Sequence, residues 1–295
     1  MDYPDMSYTN GYLHISIDMQ GSGLFVIRGP LNEIQNGLTW HLRYTNPADG
    51  NVAFGSHLTQ DSPDAAYWFG QVSTSKIRIF EWLDSSNSYS WRTRDINSYK
   101  NTDYKTLAPN GTDWLSFGFG RTAVRGATVQ APNIVTGPIT TRVIKVAWSA
   151  ARGGGFPQPY VRILDIIKQT VAGTTLWFAG NDKEIWNSNF AFQHPYMSTN
   201  SNGEVGINTA YGGPSDYPTP LTGFVGDNTM YFANKSTTAI GRWGDYSAIR
   251  KHPNNPKLFS ISDYFLQAGS GDFPSGRVIH QYRLFGRTAD VGGTF

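Results

Sequence analysis

Gly241-Arg242-Trp243-Gly244-Asp245-Tyr246-Ser247 leads, through the polar turn His252-Pro253-Asn254-Asn255-Pro256, into the apolar run Leu258-Phe259-Ser260-Ile261-Ser262-Asp263-Tyr264-Phe265. Two short runs rich in β-branched and aromatic residues, separated by Pro and Asn, predict adjacent strands of an antiparallel sheet. The stretch therefore predicts one supersecondary unit, in which a polar lead and a short strand are followed by a turn and a longer strand.

The same layout occurs twice more, over residues 2–17 and 194–211. Strand repeats of about 40–50 residues are typical of propeller blades, and we predict an all-β chain, a β-propeller of about five four-stranded blades. The predicted blades are residues 1–45, 46–105, 106–170, 171–235 and 236–295.

Composition agrees with many short strands and tight turns. Of 295 residues, 16% are charged and 14% aromatic, with 32 Gly and 16 Pro. Length alone suggests about two domains, but β architectures of this size often form one, and we predict a single domain. The formal net charge is +2 with Lys and Arg scattered, so the basic stripe of a nucleic-acid-binding protein is missing. The chain has no cysteine, which excludes disulfides and thiolate metal sites.

The N-terminus, Met1-Asp2-Tyr3-Pro4-Asp5, has neither the basic start nor the apolar segment of a signal peptide. No run approaches the roughly 18 apolar residues of a membrane span. Because the chain opens almost inside a strand unit, we expect a leader ahead of it, and a missing N-terminal blade stays open. The expected location is secreted or periplasmic.

The stretch from Arg242 to Ser247 resembles the terminal-blade pattern of a broad group of secreted bacterial β-propeller proteins, related in architecture to the sialidase-like propellers. That pattern is Arg-Trp-Gly-Asp-Tyr-Ser, then Asp-Pro, then an aromatic strand ending Glu-Tyr. This chain has His252-Pro253 in place of Asp-Pro and Asp263-Tyr264 in place of Glu-Tyr. The start Asp2-Tyr3-Pro4 also resembles that group. The resemblance implies a propeller and export more firmly than it implies an activity.

The leads into the inner strands supply the candidate site residues, because in a propeller the innermost strands line the central channel. Arg242 could hold a carboxylate or sugar hydroxyls, Asp245 could act as acid or base, and an aromatic ring could stack on a sugar. In the alternative interpretation, Arg242 and Asp245 tie neighbouring blades together and Trp243 packs between sheets. The candidate catalytic residues are Asp245, Asp5 and His194, and the candidate substrate-binding residues are Arg242, Trp243, Tyr246, His57, Tyr3 and Arg152.

No complete catalytic set is present. A sialidase mechanism needs an arginine cluster, a tyrosine–glutamate pair and an aspartic acid; the candidate acids are Asp5, Asp61, Asp95 and Asp182. The chain lacks the Ser-x-Asp-x-Gly-x-Thr-Trp turn and has only four glutamates, which disfavours that mechanism. Hydrolysis by paired carboxylates stays open, with Asp2, Asp5 and Asp245 as candidates.

The predicted function is therefore carbohydrate binding, or another interaction, at the channel face. The alternative is a glycoside hydrolase or polysaccharide lyase acting on a polysaccharide in the central channel. The high content of tryptophan and tyrosine, 9 and 16 residues, favours contact with glycans. The six histidines show no paired ligand spacing, so no cofactor or metal is predicted, although calcium in an Asp-rich turn stays open.

Overall fold

The computed structural model describes residues 2–116, 123–241, 243–244, 247–269 and 277–291. Strands dominate, and two short α-helices and one 3₁₀ turn (Asn51–Ala53) accompany them. The helices are α1 (Leu31–Gln35) and α2 (Thr288–Val291). The strands are β1 (Asp2–Tyr8), β2 (Tyr12–Met19), β3 (Gly23–Pro30), β4 (Arg43–Tyr44), β5 (Ala65–Ser73), β6 (Lys76–Leu83), β7 (Ser90–Asp95), β8 (Gly126–Thr136), β9 (Ile139–Ala150), β10 (Tyr160–Val171), β11 (Thr174–Ile185), β12 (Ala191–Thr199), β13 (Val205–Gly213), β14 (Asp216–Phe224), β15 (Met230–Tyr231), β16 (Ala248–Lys251), β17 (Phe259–Gln267) and β18 (Arg277–Phe285).

These strands form five sheets, which are the blades of a five-bladed β-propeller. The sheet orders are β1-β2-β3-β4, β5-β6-β7, β8-β9-β10-β11, β12-β13-β14-β15 and β16-β17-β18. Each sheet follows the chain from strand to adjacent strand, which is the order that short hairpin connections give. The predicted fold class and number of blades are confirmed. Neither helix of the described residues has the length and apolar composition needed to cross a membrane.

The chain divides into two compact units. The first comprises Met1–Ser98, Thr122–Val146 and Leu164–Asn181, and the second Tyr99–Arg121, Ala147–Ile163 and Asp182–Phe295. Strands β9, β10 and β11 contribute residues to both. The single domain of the sequence analysis stays a prediction.

The three repeats read from the sequence are the first two strands of the first, fourth and fifth blades. Tyr8 pairs with Leu13 across the β1–β2 turn, and Ile249 pairs with Ile261 between β16 and β17. Along β17 the buried side chains of Phe259 and Ile261 alternate with Ser260 and Ser262, the period of two that a half-buried strand requires.

Several elements differ from the predicted ones. The segment Thr174–Phe178, predicted to open the fourth blade, belongs to β11, the last strand of the third sheet, so the fourth blade begins at β12. Residues 38–44, predicted to be a strand, contain only the two residues of β4, because α1 precedes them and the side chain of Glu33 accepts the backbone N–H of His41. Strand β8 was not predicted at all.

The predicted inner segment of the second blade, residues 55–59, lies beside β5 without forming a regular strand. The N–H of Thr59 donates to the carbonyl of Tyr67 at 2.9 Å, and the N–H of His57 donates to that of Val124 at 3.0 Å. The segment therefore lies beside β5 although its pairing is too irregular to be a strand.

Each unit has its own apolar core. In the first, Trp68 stacks on Phe80 with ring centroids 5.1 Å apart, and Leu24, Val26 and Leu58 pack in the same cluster. In the second, Val161 and Ile163 of β10 pack with side chains of β12, β13 and β14. These clusters fix the faces of the strands that carry the sites below.

Candidate functional site

The first predicted site residues, Asp5 and His57, meet in the first unit. The buried carboxylate of Asp5 accepts the N–H of Leu58 at 2.8 Å and lies 3.7 Å from Nδ1 of His57. Asp18, on β2, accepts the N–H of Gly55 in the same way at 2.8 Å. Both carboxylates thus satisfy backbone donors of the segment that precedes the second blade, as buried polar groups must. A catalytic role for Asp5 stays a prediction.

His194 lies at an irregularity of β12. The register of β12 with β13 shifts between Gln193 and Tyr196, and His194 has a positive φ of 57°. Its N–H donates to Oγ of Ser149 at 3.2 Å. Bulges and non-glycine residues with a positive φ often accompany functional sites, so His194 stays a candidate site residue. Its chemical role stays a prediction.

The glycine of the Arg-Trp-Gly-Asp motif packs against this histidine. Gly244 has φ of 104°, and the space that a Cβ would need is taken by the His194 ring. The N–H of Gly244 donates to Oη of Tyr264 at 2.7 Å, and its carbonyl accepts from Oη of Tyr196 at 3.3 Å. The position therefore requires glycine for both its backbone angle and its close contact.

Trp243 is a core residue. Only 4% of it is exposed, and its ring meets Trp114 edge-on at 5.9 Å and Tyr264 at 5.3 Å. This position agrees with the interpretation in which Trp243 packs between sheets, whereas stacking on a sugar would require the ring to leave the core. Arg242, Asp245 and Tyr246 lie outside the described residues, as does the side chain of Tyr3, and their roles stay predictions.

Arg152 is held by the segment that contains Asp103 and Lys105. Its guanidinium lies 3.2 Å from the carboxylate of Asp103 and donates to the carbonyl of Lys105. The loop that it opens continues through Gly153-Gly154-Gly155 to Phe156. These contacts of Arg152 anchor the start of the loop that carries Phe156, a residue of the site described next.

An aromatic platform lies at the end of β11 in the second unit, formed by Phe156, Tyr160 and Trp186. Phe156 stacks on Tyr160 with ring centroids 3.9 Å apart, and Trp186 meets Phe156 edge-on at 5.8 Å. Tyr160 is buried, whereas Trp186 is 53% exposed. A buried ring and a half-buried ring therefore support a tryptophan that is open to solvent.

Carboxylates lie beside this aromatic platform because strands alternate. Asp182 and Glu184 lie two residues apart on β11, so their side chains share one face of the strand, and Trp186 follows directly after the strand ends. Ile185 alternates with them on β11 and packs into the core together with Val161 and Ile163 of β10. At this end, β10 and β11 therefore have one buried face and one face that is open to solvent.

The two carboxylates have different partners. Arg162 binds Asp182 with both arms, Nε at 2.9 Å and Nη2 at 2.6 Å. Burial, and then the negative charge of Asp182, raise the pKa of Glu184. Burial chiefly raises the pKa of Tyr160 as well. Asp182 is thus ion-paired, while Glu184, an exposed residue whose carboxyl group is partly desolvated by its neighbours, holds its proton more tightly than an ordinary glutamate.

A cleft of about 680 Å³ adjoins the same strand. Residues 182–187 form one wall and residues 224–228 the other, with Met230 nearby. Apolar side chains of the second unit's core line its floor, among them Ile163, Ile207 and Leu221. Trp186 lines the cleft and also belongs to the aromatic platform, so the two features are continuous.

No group of three or more histidine, aspartate or glutamate side chains suited to a metal ion occurs in the part of the chain that the structure describes. The prediction that the chain works without a metal or cofactor is left untested by this observation.

Sequence reasoning identified Asp182 as a candidate acid but missed Glu184, Trp186 and Phe156. The alternation Asp182-Lys183-Glu184-Ile185-Trp186 was a signal for a half-exposed strand end. The pairing of that strand with Phe156 through Tyr160 depends on a loop conformation that no local pattern specifies.

No protein-family model matches the chain, and no curated protein matches it. Among solved structures, an α-L-arabinanase of Penicillium chrysogenum in complex with arabinobiose is similar, with a TM-score of 0.49, 11% identity, and coverage of 88% of this chain and 74% of that one. The six-bladed fucose-recognising lectin of Aleuria aurantia has a TM-score of 0.45, 12% identity, and coverage of 93% and 77%. The SapL1 lectin, in complex with α-methyl fucoside, has a TM-score of 0.33, 12% identity, and coverage of 88% and 86%. Likenesses at this level assign no activity to the chain.

Proposed function

We propose that the chain binds carbohydrate at the end of β11, on the exposed face of Trp186. The observation that carries the proposal is the half-exposed indole of Trp186 held by Phe156 beside the exposed carboxyl of Glu184. An aromatic face suits the apolar face of a sugar ring, and a neighbouring carboxyl suits its hydroxyl groups. The aromatic platform supplies the first and Glu184 the second.

The support beneath Trp186 favours binding because it limits the conformational entropy that the side chain loses when a ligand binds. Tyr160 is buried and stacked by Phe156, and Asp182 is fixed by both arms of Arg162. A ring already held in its bound position loses little freedom when a ligand arrives.

Binding of unsubstituted oligosaccharides on a glycan array, followed by calorimetry, tests this proposal. We expect Trp186→Ala to weaken binding by about tenfold or more, because an aromatic contact of this kind contributes on the order of 1 kcal/mol beyond its buried area. Trp40→Ala is the matched control, since Trp40 is 50% exposed and lies in the first unit. Glycan binding that Trp186→Ala leaves unchanged, or that Trp40→Ala removes, rejects the proposal.

Glycoside hydrolysis is the second candidate function, and the arrangement of Asp182 and Glu184 favours it. A glycosidase pairs a carboxylic acid that keeps its proton with a carboxylate that stays ionised. Glu184 has a raised pKa, and Asp182 is ion-paired with Arg162. Residues two apart on a strand have Cα atoms about 7 Å apart, within the range of roughly 5 to 9.5 Å over which glycosidases separate their two carboxyl groups.

Release of reducing sugar from polysaccharides separates the two functions. A hydrolase at this site predicts release that Glu184→Gln abolishes and Asp245→Asn leaves intact. The opposite result would locate the chemistry at the Arg-Trp-Gly-Asp motif. Glycan binding without release by the unaltered protein makes the chain a binding module.

A further inference from the structure

The cleft beside β11 differs in chemistry from the aromatic platform that it adjoins. Its floor is apolar, formed by the side chains of Ile163, Ile207, Leu221, Phe224 and Met230. Most of these are buried, and Met230 is half-buried at the start of β15. A volume of about 680 Å³ lies within the range of sites that enclose small ligands. An apolar floor of this kind gains free energy by removing an apolar group from water.

Two of the carboxylates at the rim of the cleft are neutralised by partners on the protein, and the exposed Lys183 and Glu184 also line it. Arg287 binds Asp227, with Nη1 2.6 Å from the carboxylate, and the negative charge of Glu204 lies 2.9 Å from Nε of the same arginine. The hydrogen bond from Arg287 lowers the pKa of Asp227. Asp182, on the other wall, is ion-paired with Arg162 at 2.6 Å. With Asp227 and Asp182 compensated, and with Lys183 and Glu184 exposed to solvent at the rim, the apolar floor suits an uncharged group.

The walls are also held in place. The guanidinium of Arg287 lies 3.8 Å from the ring centroid of Phe224, and the N–H of Val225 donates to the carbonyl of Val205 at 2.8 Å. A cleft whose walls are fixed before binding costs less to occupy than one that must form around its ligand.

We propose that this cleft is a subsite for an uncharged apolar substituent, alkyl, acyl or aryl, carried by the sugar that stacks on Trp186. Trp186 lines the cleft as well as the aromatic platform, so a substituent of a stacked sugar reaches the floor without leaving the surface of the protein. The proposal rests on the proposed function, because the sugar provides the attachment.

The cleft can be tested without any sugar, using the uncharged apolar dye N-phenyl-1-naphthylamine and the whole chain. We expect the dye to bind, with fluorescence enhancement, and Met230→Gln to weaken its binding about tenfold, because a polar amide replaces apolar surface on the floor. Met19→Gln is the control, since Met19 is likewise half-buried at a strand end but lies in the first unit. Dye binding that Met230→Gln leaves unchanged overturns the proposal.

Matched methyl, octyl and phenyl glucosides then test the link to the sugar. We expect the octyl or phenyl glucoside to displace the dye at least tenfold more effectively than the methyl glucoside, and Met230→Gln to reduce this preference. Stronger displacement by the octyl glucoside indicates an alkyl or acyl substituent, and stronger displacement by the phenyl glucoside indicates an aryl one. Equal displacement by all three, or a preference that Trp186→Ala leaves intact, overturns the proposal.

Failure of the proposed function would instead show as unsubstituted oligosaccharides that bind independently of Trp186, a measurement that does not involve Met230.

Discussion

His14 is a buried histidine whose environment keeps it neutral. It lies on β2 with none of its surface exposed, and neither ring nitrogen has a hydrogen-bond partner among the described residues. Burial, and then the positive charge of Arg28, lower its pKa from 6.5 to about 3. His14 therefore becomes protonated near pH 6.5 in the unfolded chain, but only near pH 3 in the folded chain.

This difference predicts a loss of stability in acid. The contribution of His14 to the free energy of unfolding is complete above pH 6.5 and falls as the pH drops toward 3, by up to about 1.4 kcal/mol per pH unit. Denaturant unfolding at about pH 7.5 and about pH 4.5 should show a smaller loss for His14→Leu than for the unaltered chain. His280→Leu, at an exposed strand position, should keep the full loss. An equal loss for all three proteins contradicts the assignment.

Gly244 and Gly226 form a natural pair of residues for separating backbone strain from close contact. Their φ angles are 104° and 105°, but a Cβ at Gly226 would meet nothing within 4 Å, whereas one at Gly244 would overlap the His194 ring. We expect Gly226→Ala to cost about 1 kcal/mol of the free energy of unfolding and Gly244→Ala at least about 2 kcal/mol more, because only the second moves a packed ring. Chemical unfolding measures both. Equal costs would show that His194 is not packed against Gly244.

At the scale of elements, the inner segment of the second blade depends on a carboxylate from the first. Asp5 accepts the N–H of Leu58 at 2.8 Å, and this segment has no regular ladder to replace that bond. Asp5→Ala should speed hydrogen exchange at the Leu58 amide on the order of tenfold or more, because a buried donor loses its acceptor. Asp5→Asn keeps an acceptor oxygen and should preserve most of the protection. Asp95→Ala, at a side chain 85% exposed, is the control. An unchanged exchange rate of the Leu58 amide in Asp5→Ala would show that Asp5 does not stabilise this segment.

Elements with a local signal were predictable, and elements without one were not. The strand pairs β1–β2, β12–β13 and β16–β17 follow from alternation and from Pro, Asn and Gly at their turns. Strand β8 escaped prediction because Gly126-Ala127-Thr128-Val129-Gln130 lacks the large aromatic residues of the other strands. The assignment of Thr174–Phe178 failed because a long hairpin, joined through Ala172-Gly173, keeps β11 in the third sheet.

The candidate site divides along the same line. Asp182 was visible from the sequence as a carboxylate, but its neutralisation by Arg162 and the approach of Phe156 to Trp186 depend on register and loop geometry. For Trp243 the sequence left two interpretations, stacking on a sugar and packing between sheets, and its place in the core agrees with the second. Composition indicates how many aromatic residues there are, and only packing decides which are exposed.

At the scale of the whole molecule, five antiparallel sheets in sequence order form the propeller that the repeats predicted. The account of function rests on the end of β11, where the supported Trp186, the raised pKa of Glu184 and a cleft with an apolar floor occur together. The fold itself leaves the ligand open, since function depends on the site that a fold carries.

The most direct test of this account is the NMR spectrum of the nine tryptophan indole N–H groups during titration with the oligosaccharide that binds most tightly on the array. Carbohydrate binding at the end of β11 predicts a saturating shift of the Trp186 resonance, with the exposed Trp40 and Trp91 unmoved. A saturating titration that moves other indoles and leaves Trp186 in place would contradict it.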